Sequence, residues 1–237
     1  MSKILQIRLF FLILFSFLLF PSIHIQAAWY YPMENYDQRQ TVKGFGQYID
    51  DNFYKGKEAL FPYNKFYGYH AAVDLEVFPN ELNMPVPAYA ISSGTVTYVG
   101  TLSGYGGVIL EKLDNENNTA LYGHVRIKDI SYKVGDHINT DNGPVILTYL
   151  GDEFSAETSK ERNHLHFGIY KGTDLYFVGH EPTLSQLEKR WVDPSTFLKE
   201  KKTVSPAATP APTSSVPNIA VSPKETRNFF SELISFI

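Results

Sequence analysis

Residues 164–170 read His-Leu-His-Phe-Gly-Ile-Tyr, an alternation of period two. In an extended strand side chains repeat every second residue, so His164, His166, Gly168 and Tyr170 share one face. Leu165, Phe167 and Ile169 share the other. A strand of this kind turns an apolar back to a core and holds two imidazoles rigidly on its front, at a surface. There they are placed to ligate a metal or to move protons.

The same alternation recurs upstream. Val73, Leu75 and Val77 alternate with Asp74 and Glu76, and Thr95–Val99 and Val108–Leu113 read as half-buried strands. Asp114-Asn-Glu-Asn-Asn118 supplies turn chemistry before Thr119–Tyr122 and predicts a hairpin. Pro144–Tyr149 adds a further strand, while helical patterning is convincing only over Leu184–Arg190. Aromatic residues make up 15% of the chain, mostly Tyr and Phe, and these favour strands. The fold class predicted is mainly β, with antiparallel sheets in a sandwich-like arrangement, short loops and little helix.

The ends carry a different composition. Residues 1–28 read as a secretion signal: Lys3 and Arg8 lead, an apolar run from Leu9 to Phe20 follows, and Ala27-Ala28 closes it. The run is short against the about 20 residues that a bilayer-spanning helix needs, so no stable transmembrane segment is expected after cleavage. Residues 29–60 are read as a lead that packs on the domain, 61–202 as the domain, and 203–228 as a linker rich in Pro, Ala, Ser and Thr. The tail, 229–237, places Phe229, Phe230, Leu233, Ile234 and Ile237 at helical spacing. The 237 residues contain no cysteine, which excludes disulfides, a lipid-attachment Cys and thiolate chemistry. The net charge is −4, and loss of Lys3 and Arg8 makes it more negative, which argues against nucleic-acid binding. The sequence leaves oligomeric state open.

Beside the His-x-His strand stand His70-Ala-Ala-Val-Asp74 and Tyr122-Gly-His124. Four residues of extended strand span roughly 13 Å, so His70 must sit on a bend before the strand of Asp74 if both are to hold one ion. Gly68 makes such a bend possible. Two histidines and an aspartate suit Zn²⁺, whose hydrolytic sites commonly use three protein donors and a water. Other hydrolase signatures are missing. His180-Glu181 lacks a second His four residues on, and the chain has no G-x-S-x-G elbow or P-loop.

Taken in order, the HxxxD, YGH and HLHF motifs resemble those of the lysostaphin- or LytM-type zinc metallopeptidases, which cut peptidoglycan peptides. The resemblance covers roughly His70 to Leu198. It includes MPVPAYAISSGTVTYVG (84–100), GYGGVIL (104–110), VGDHI (134–138) and VDPSTFL (192–198). It implies a lysostaphin-type peptidase fold, Zn²⁺ as cofactor, His70, Asp74 and His166 as metal ligands, and His124 and His164 as the unliganded catalytic pair. It also implies a secreted or cell-envelope endopeptidase that hydrolyses cross-links or stem peptides with a zinc-activated water. One of His124 and His164, with a pKa near working pH, would be the general base and the other would stabilise the oxyanion. Tyr63, Tyr67 and Tyr69 are candidate helpers. The alternative is a non-catalytic wall-binding or hydrolase-activating module on the same fold.

The chain departs from the family pattern at three places. Ala72 stands where Gly is usual, Ala156-Glu-Thr-Ser-Lys-Glu-Arg-Asn163 replaces a Gly-rich approach to His164, and FVGHEPTLSQLEKR (177–190) is extra. His137 and His180 have no motif partner and are read as solvated loop residues.

Overall fold

A computed structural model describes residues 27–204 except Asn64 and Asn83. The leader up to Gln26 and the linker and tail from Ser205 lie outside the described residues. Among the described residues no helix is long and apolar enough to cross a membrane.

The elements run β1 (Tyr48–Ile49), α1 (Asp51–Tyr54), β2 (Gly68–His70), β3 (Val73–Glu76), β4 (Pro87–Tyr89), β5 (Gly94–Leu102) and β6 (Gly106–Leu113). They continue with β7 (Asn118–Gly123), β8 (His137–Ile138), β9 (Ile146–Tyr149), β10 (His164–Lys171) and β11 (His180–Glu181). α2 (Leu184–Arg190), β12 (Trp191–Val192) and α3 (Pro194–Val204) close the domain.

The principal sheet has seven strands in the order β12-β10-β7-β6-β5-β8, with β3 also paired to β10. A three-stranded sheet, β1-β2-β11, and a β4-β9 pair complete an all-antiparallel set. The fold is therefore the mainly β, antiparallel, sandwich-like class expected from the alternation. Asn115 takes a left-handed φ of 58° in the β6–β7 turn, a conformation that Asn tolerates well.

Register explains the core. Leu165 lies opposite Leu75, and Phe167 opposite both Val73 and Tyr122. These side chains join Ile109, Ala120 and Ile169 in the main cluster, to which the N-terminal segment adds Trp29, Met33 and Tyr36. Trp29 meets Phe197 of α3 edge-on at 5.5 Å. That helix starts at Pro194, a residue suited to the first helical turn, and Asp193 caps it by accepting from the Ser195 N–H at 3.0 Å.

The other face of the sheet is covered as well. Val108, Leu110, Leu121 and Tyr170 pack with Ala71, Tyr105, Leu187 and Trp191 in a second cluster. β10 is consequently buried on both sides, where alternation alone had suggested a strand presenting its histidines at a surface. The cover is the extra stretch noted in the sequence: Phe177 leans on this cluster, and Leu187 of α2 completes it.

Glu111 of β6 sits wholly inside the main core. Its Oε2 accepts a hydrogen bond from the Tyr122 hydroxyl at 2.7 Å, while Oε1 is buried without a partner. Burial pushes its pKa up to about 8 from an ordinary 4.5. The folded chain thus holds a proton that the unfolded chain releases at a lower pH. Stability from this group is complete below about pH 4.5 and is lost as pH rises towards about 8, by at most about 1.4 kcal/mol per pH unit. Urea melts should show Glu111→Gln losing less stability than the parent between pH 5 and pH 8; equal losses would contradict this account.

Candidate metal centre

His70 ends β2 and Asp74 is the second residue of β3, so the two belong to different sheets. The bend between them falls at Ala71-Ala72, both fully buried. It brings His70 Nε2 to 3.3 Å from Asp74 Oδ1. His166 lies directly opposite Asp74 across the β3–β10 pair. Its Nδ1 is 3.0 Å from Asp74 Oδ1 and 3.2 Å from His70 Nε2.

Three donor atoms therefore converge at separations of 3.0–3.3 Å. A tetrahedral ion with bonds of about 2.0–2.1 Å requires donors roughly 3.3 Å apart, so this set fits Zn²⁺. His70 Nδ1–H donates to the Gly44 carbonyl at 3.3 Å, which leaves the Nε2 lone pair directed at the cluster. Burial opposes ionisation of Asp74, but His70 and Lys43 beside it hold its carboxyl well below the usual range. It is a carboxylate at any working pH.

His124 and His164 form a second group, their rings 4.4 Å apart. Gly123, one residue before His124, pairs with His166 across β7 and β10. A Cβ on Gly123 would come within 2.8 Å of the Tyr105 ring and 3.3 Å of His166 Cβ, so the close approach requires glycine. His124 then adopts a left-handed φ of 63°. Its N–H donates to Tyr105 O at 3.1 Å and its carbonyl accepts from Gly151 N–H at 2.8 Å, which pins this strained residue.

His164 Nδ1–H donates to the Arg162 carbonyl at 2.8 Å. Its Nε2, like His124 Nδ1, is buried without a hydrogen-bond partner. Burial pushes His124 down to about 3 and His164 well below the ordinary value. Both rings are thus neutral at working pH, not poised near it as expected from an unperturbed histidine. The physical reason is the burial of both imidazoles.

Three charged residues at this site escaped the sequence reading. Lys43, from the N-terminal lead, places Nζ 3.5 Å from Asp74 Oδ2 and 3.4 Å from Glu161 Oε2. Glu161 joins His124 and His164 in a second group of close donor atoms. Arg162 binds Asp74 and Glu76. Glu161 and Arg162, within the charged approach to His164, are buried.

Two further expectations change. His180 is not a solvated loop residue: it belongs to β11, opposite His70, and stacks on Phe66 at 4.7 Å. The extra stretch that carries it is drawn into the small sheet by the free edge of β2. His137 lies on β8, exposed, and pairs with Asp114 at 2.7 Å. Of the candidate tyrosines, Tyr63 and Tyr67 are exposed, Tyr67 donating to Asp51, and Tyr69 packs on Tyr48. The tyrosine on the wall of the centre is Tyr105, whose ring is 5.1 Å from that of His166 and whose buried hydroxyl has no partner.

A cleft of about 370 Å³ opens over these groups, lined by Lys65, Phe66, Tyr105, Phe177, Gly179 and His180 beside His124, His166 and Glu161. Fold and geometry together define a β-sheet domain with a candidate metal centre on the floor of a cleft. Residues 68–177 match the model of Peptidase family M23. Endolysin 2638A of Staphylococcus phage 2638A is 31% identical over 110 residues, which is 42% of this chain and 21% of the endolysin. The chain thus spans about a fifth of the length of that curated relative. The catalytic domain of lysostaphin from Staphylococcus simulans is 22% identical, with a TM-score of 0.46 over 69% of this chain and 94% of the domain. A solved structure of LytU is 21% identical, with a TM-score of 0.45 over 68% of this chain and 86% of LytU.

Gly123→Ala should lower stability by roughly 1–3 kcal/mol, because the added methyl drives apart Tyr105 and His166 in a packed site. Thermal melting would check this; an unchanged midpoint would show that the approach at Gly123 is not tight.

Proposed function

We propose that the chain is a secreted zinc metalloendopeptidase that hydrolyses peptide bonds in peptidoglycan cross-links or stem peptides. The observation that carries this reading is the convergence of His70 Nε2, Asp74 Oδ1 and His166 Nδ1 beside His124 and His164, with His124 and His166 lining one cleft. The match of residues 68–177 to a peptidase family model supports the reaction class, and the endolysin likeness supports a cell-wall substrate. Secretion rests on the charged and apolar pattern of residues 1–28.

Held by His70, Asp74 and His166, zinc would supply Lewis-acid polarisation of the scissile carbonyl and acidify a water. The remaining steps belong to the chain. His164 has committed Nδ1–H to the Arg162 carbonyl, so only its Nε2 lone pair is left to accept the proton of the attacking water. The imidazolium so formed lies 3.5 Å from Asp74 Oδ2, which favours the charged state. From the same nitrogen the proton passes to the leaving amine. His124, on the cleft side of His164, donates an imidazole N–H to the carbonyl oxygen as that oxygen gains charge. The non-catalytic alternative draws no support from the site, where all five motif side chains are retained and gathered.

His166→Ala should bring zinc, about one ion per chain in the parent, close to none, and abolish clearing of purified cell walls. His164→Ala should keep its zinc and lose turnover by about 10²–10⁴-fold. Metal analysis and wall turbidity distinguish the two, and mass spectrometry of the released peptides identifies the bond cut. Full activity in either variant would refute the assignment.

A further inference from the structure

The two oxygens of Asp74 have different surroundings. Oδ1 faces His166 Nδ1 at 3.0 Å and His70 Nε2 at 3.3 Å. Oδ2 accepts a hydrogen bond from Arg162 Nη2 at 3.0 Å and has Lys43 Nζ at 3.5 Å. Arg162 is clamped in turn. Its Nε lies 2.9 and 3.0 Å from the two Glu76 oxygens, its Nη2 2.7 Å from Glu76 Oε1, and its Nη1 3.2 Å from Glu161 Oε2. The Phe61 ring covers the guanidinium at 5.0 Å.

This arrangement follows from register. Asp74 and Glu76 are two residues apart on β3 and so point to one face, and Arg162 enters beside them from the residues just before β10. A planar fork of five donors can span two carboxylates at fixed angles; an ammonium cannot. Arg162 and Asp74 are both buried, which makes the contact short-ranged and firm.

We propose that Arg162 is a positioning residue that occupies Asp74 Oδ2, so that Asp74 meets the divalent ion through Oδ1 alone and the centre keeps an open coordination position. The inference rests on the metal-centre reading above. A carboxylate free to turn offers both oxygens to an ion and fills a position that a hydrolytic site needs for water or substrate. Groups that hold metal ligands from behind commonly govern geometry in this way.

Cobalt(II) loading of the full chain tests it, because visible absorption of cobalt is intense in four-coordinate sites and weak at higher coordination. The parent should show the intense band. Arg162→Lys keeps the positive charge that the buried carboxylates need, and so keeps the fold, but it cannot hold Glu76 and Asp74 together. Its band should fall by roughly threefold or more as Oδ2 joins the ion. Arg162→Ala, read where circular dichroism shows it folded, should fall at least as far. A folded Arg162→Lys chain with the parent's spectrum would overturn the inference and leave Arg162 a structural counter-charge. A parent chain that takes up no cobalt or zinc would instead overturn the metal-centre reading, and this inference with it.

Discussion

β10 is held between β3 on one side and β7 on the other, and the centre depends on the register of both pairs. His166 has Asp74 across one ladder and Gly123 across the other, while Leu165 and Phe167 have Leu75 and Val73 beneath them. Because side chains alternate with period two, a slip of one residue would send both histidines into the apolar core and bring Leu165 and Phe167 to the cleft. The core therefore enforces the site. Burial of Leu165, Phe167 and Ile169, each at about 25 cal/mol per Å² of apolar surface, fixes the angle at which His164 and His166 stand.

Such a site is expensive to bury. Lys43, Asp74, Glu161 and Arg162 are all withdrawn from water, and an isolated charge there would be untenable. Each is compensated: Asp74 by Arg162 and Lys43, Glu161 by the same two cations, and Arg162 additionally by Glu76. Networks of this kind give specificity of arrangement more surely than stability. What is left unpaired is equally telling. Tyr105 Oη, His124 Nδ1, His164 Nε2 and His166 Nε2 are buried without partners, and all four residues line or adjoin the same centre. Four of the eight such atoms among the described residues thus lie at this centre, where a bound group would satisfy them.

The parts of this domain legible in the sequence were those with a period. Alternation disclosed β3, β5, β6, β7 and β10, and Asp114–Asn118 disclosed the hairpin between β6 and β7. The bend at Ala71-Ala72 followed from distance, since two donors four residues apart in a straight strand cannot share an ion. Lys43 was illegible because nothing local ties it to the site; it arrives there through long-range backbone pairing, Asp74 N–H donating to Lys43 O. β1, β8, β11 and β12 are two residues long and carry no period at all. α3 did have a signal, Asp193-Pro194-Ser195-Thr196, a cap followed by Pro at the first helical position, but its apolar spacing is weak.

Glu161 and Arg162 show a different kind of failure. They carry no period and reach the site through long-range ion pairs, Glu161 with Lys43 and Arg162 with Asp74 and Glu76, under the Phe61 ring. The extra stretch downstream covers the second cluster of the sheet. That stretch also secures the bend. Ala71 N–H donates to Gly179 O at 3.0 Å, and β11 pairs with β2 so that His180 lies opposite His70. A Cβ on Gly179 would lie 2.5 Å from Tyr105 Oη, so the stretch passes as close to the wall of the centre as backbone can. The stretch that carries Gly179 and His180 is thus the brace that holds His70 against Asp74. With that brace in position, the sequence there can vary in ways that reshape the cleft while the three donor atoms stay together.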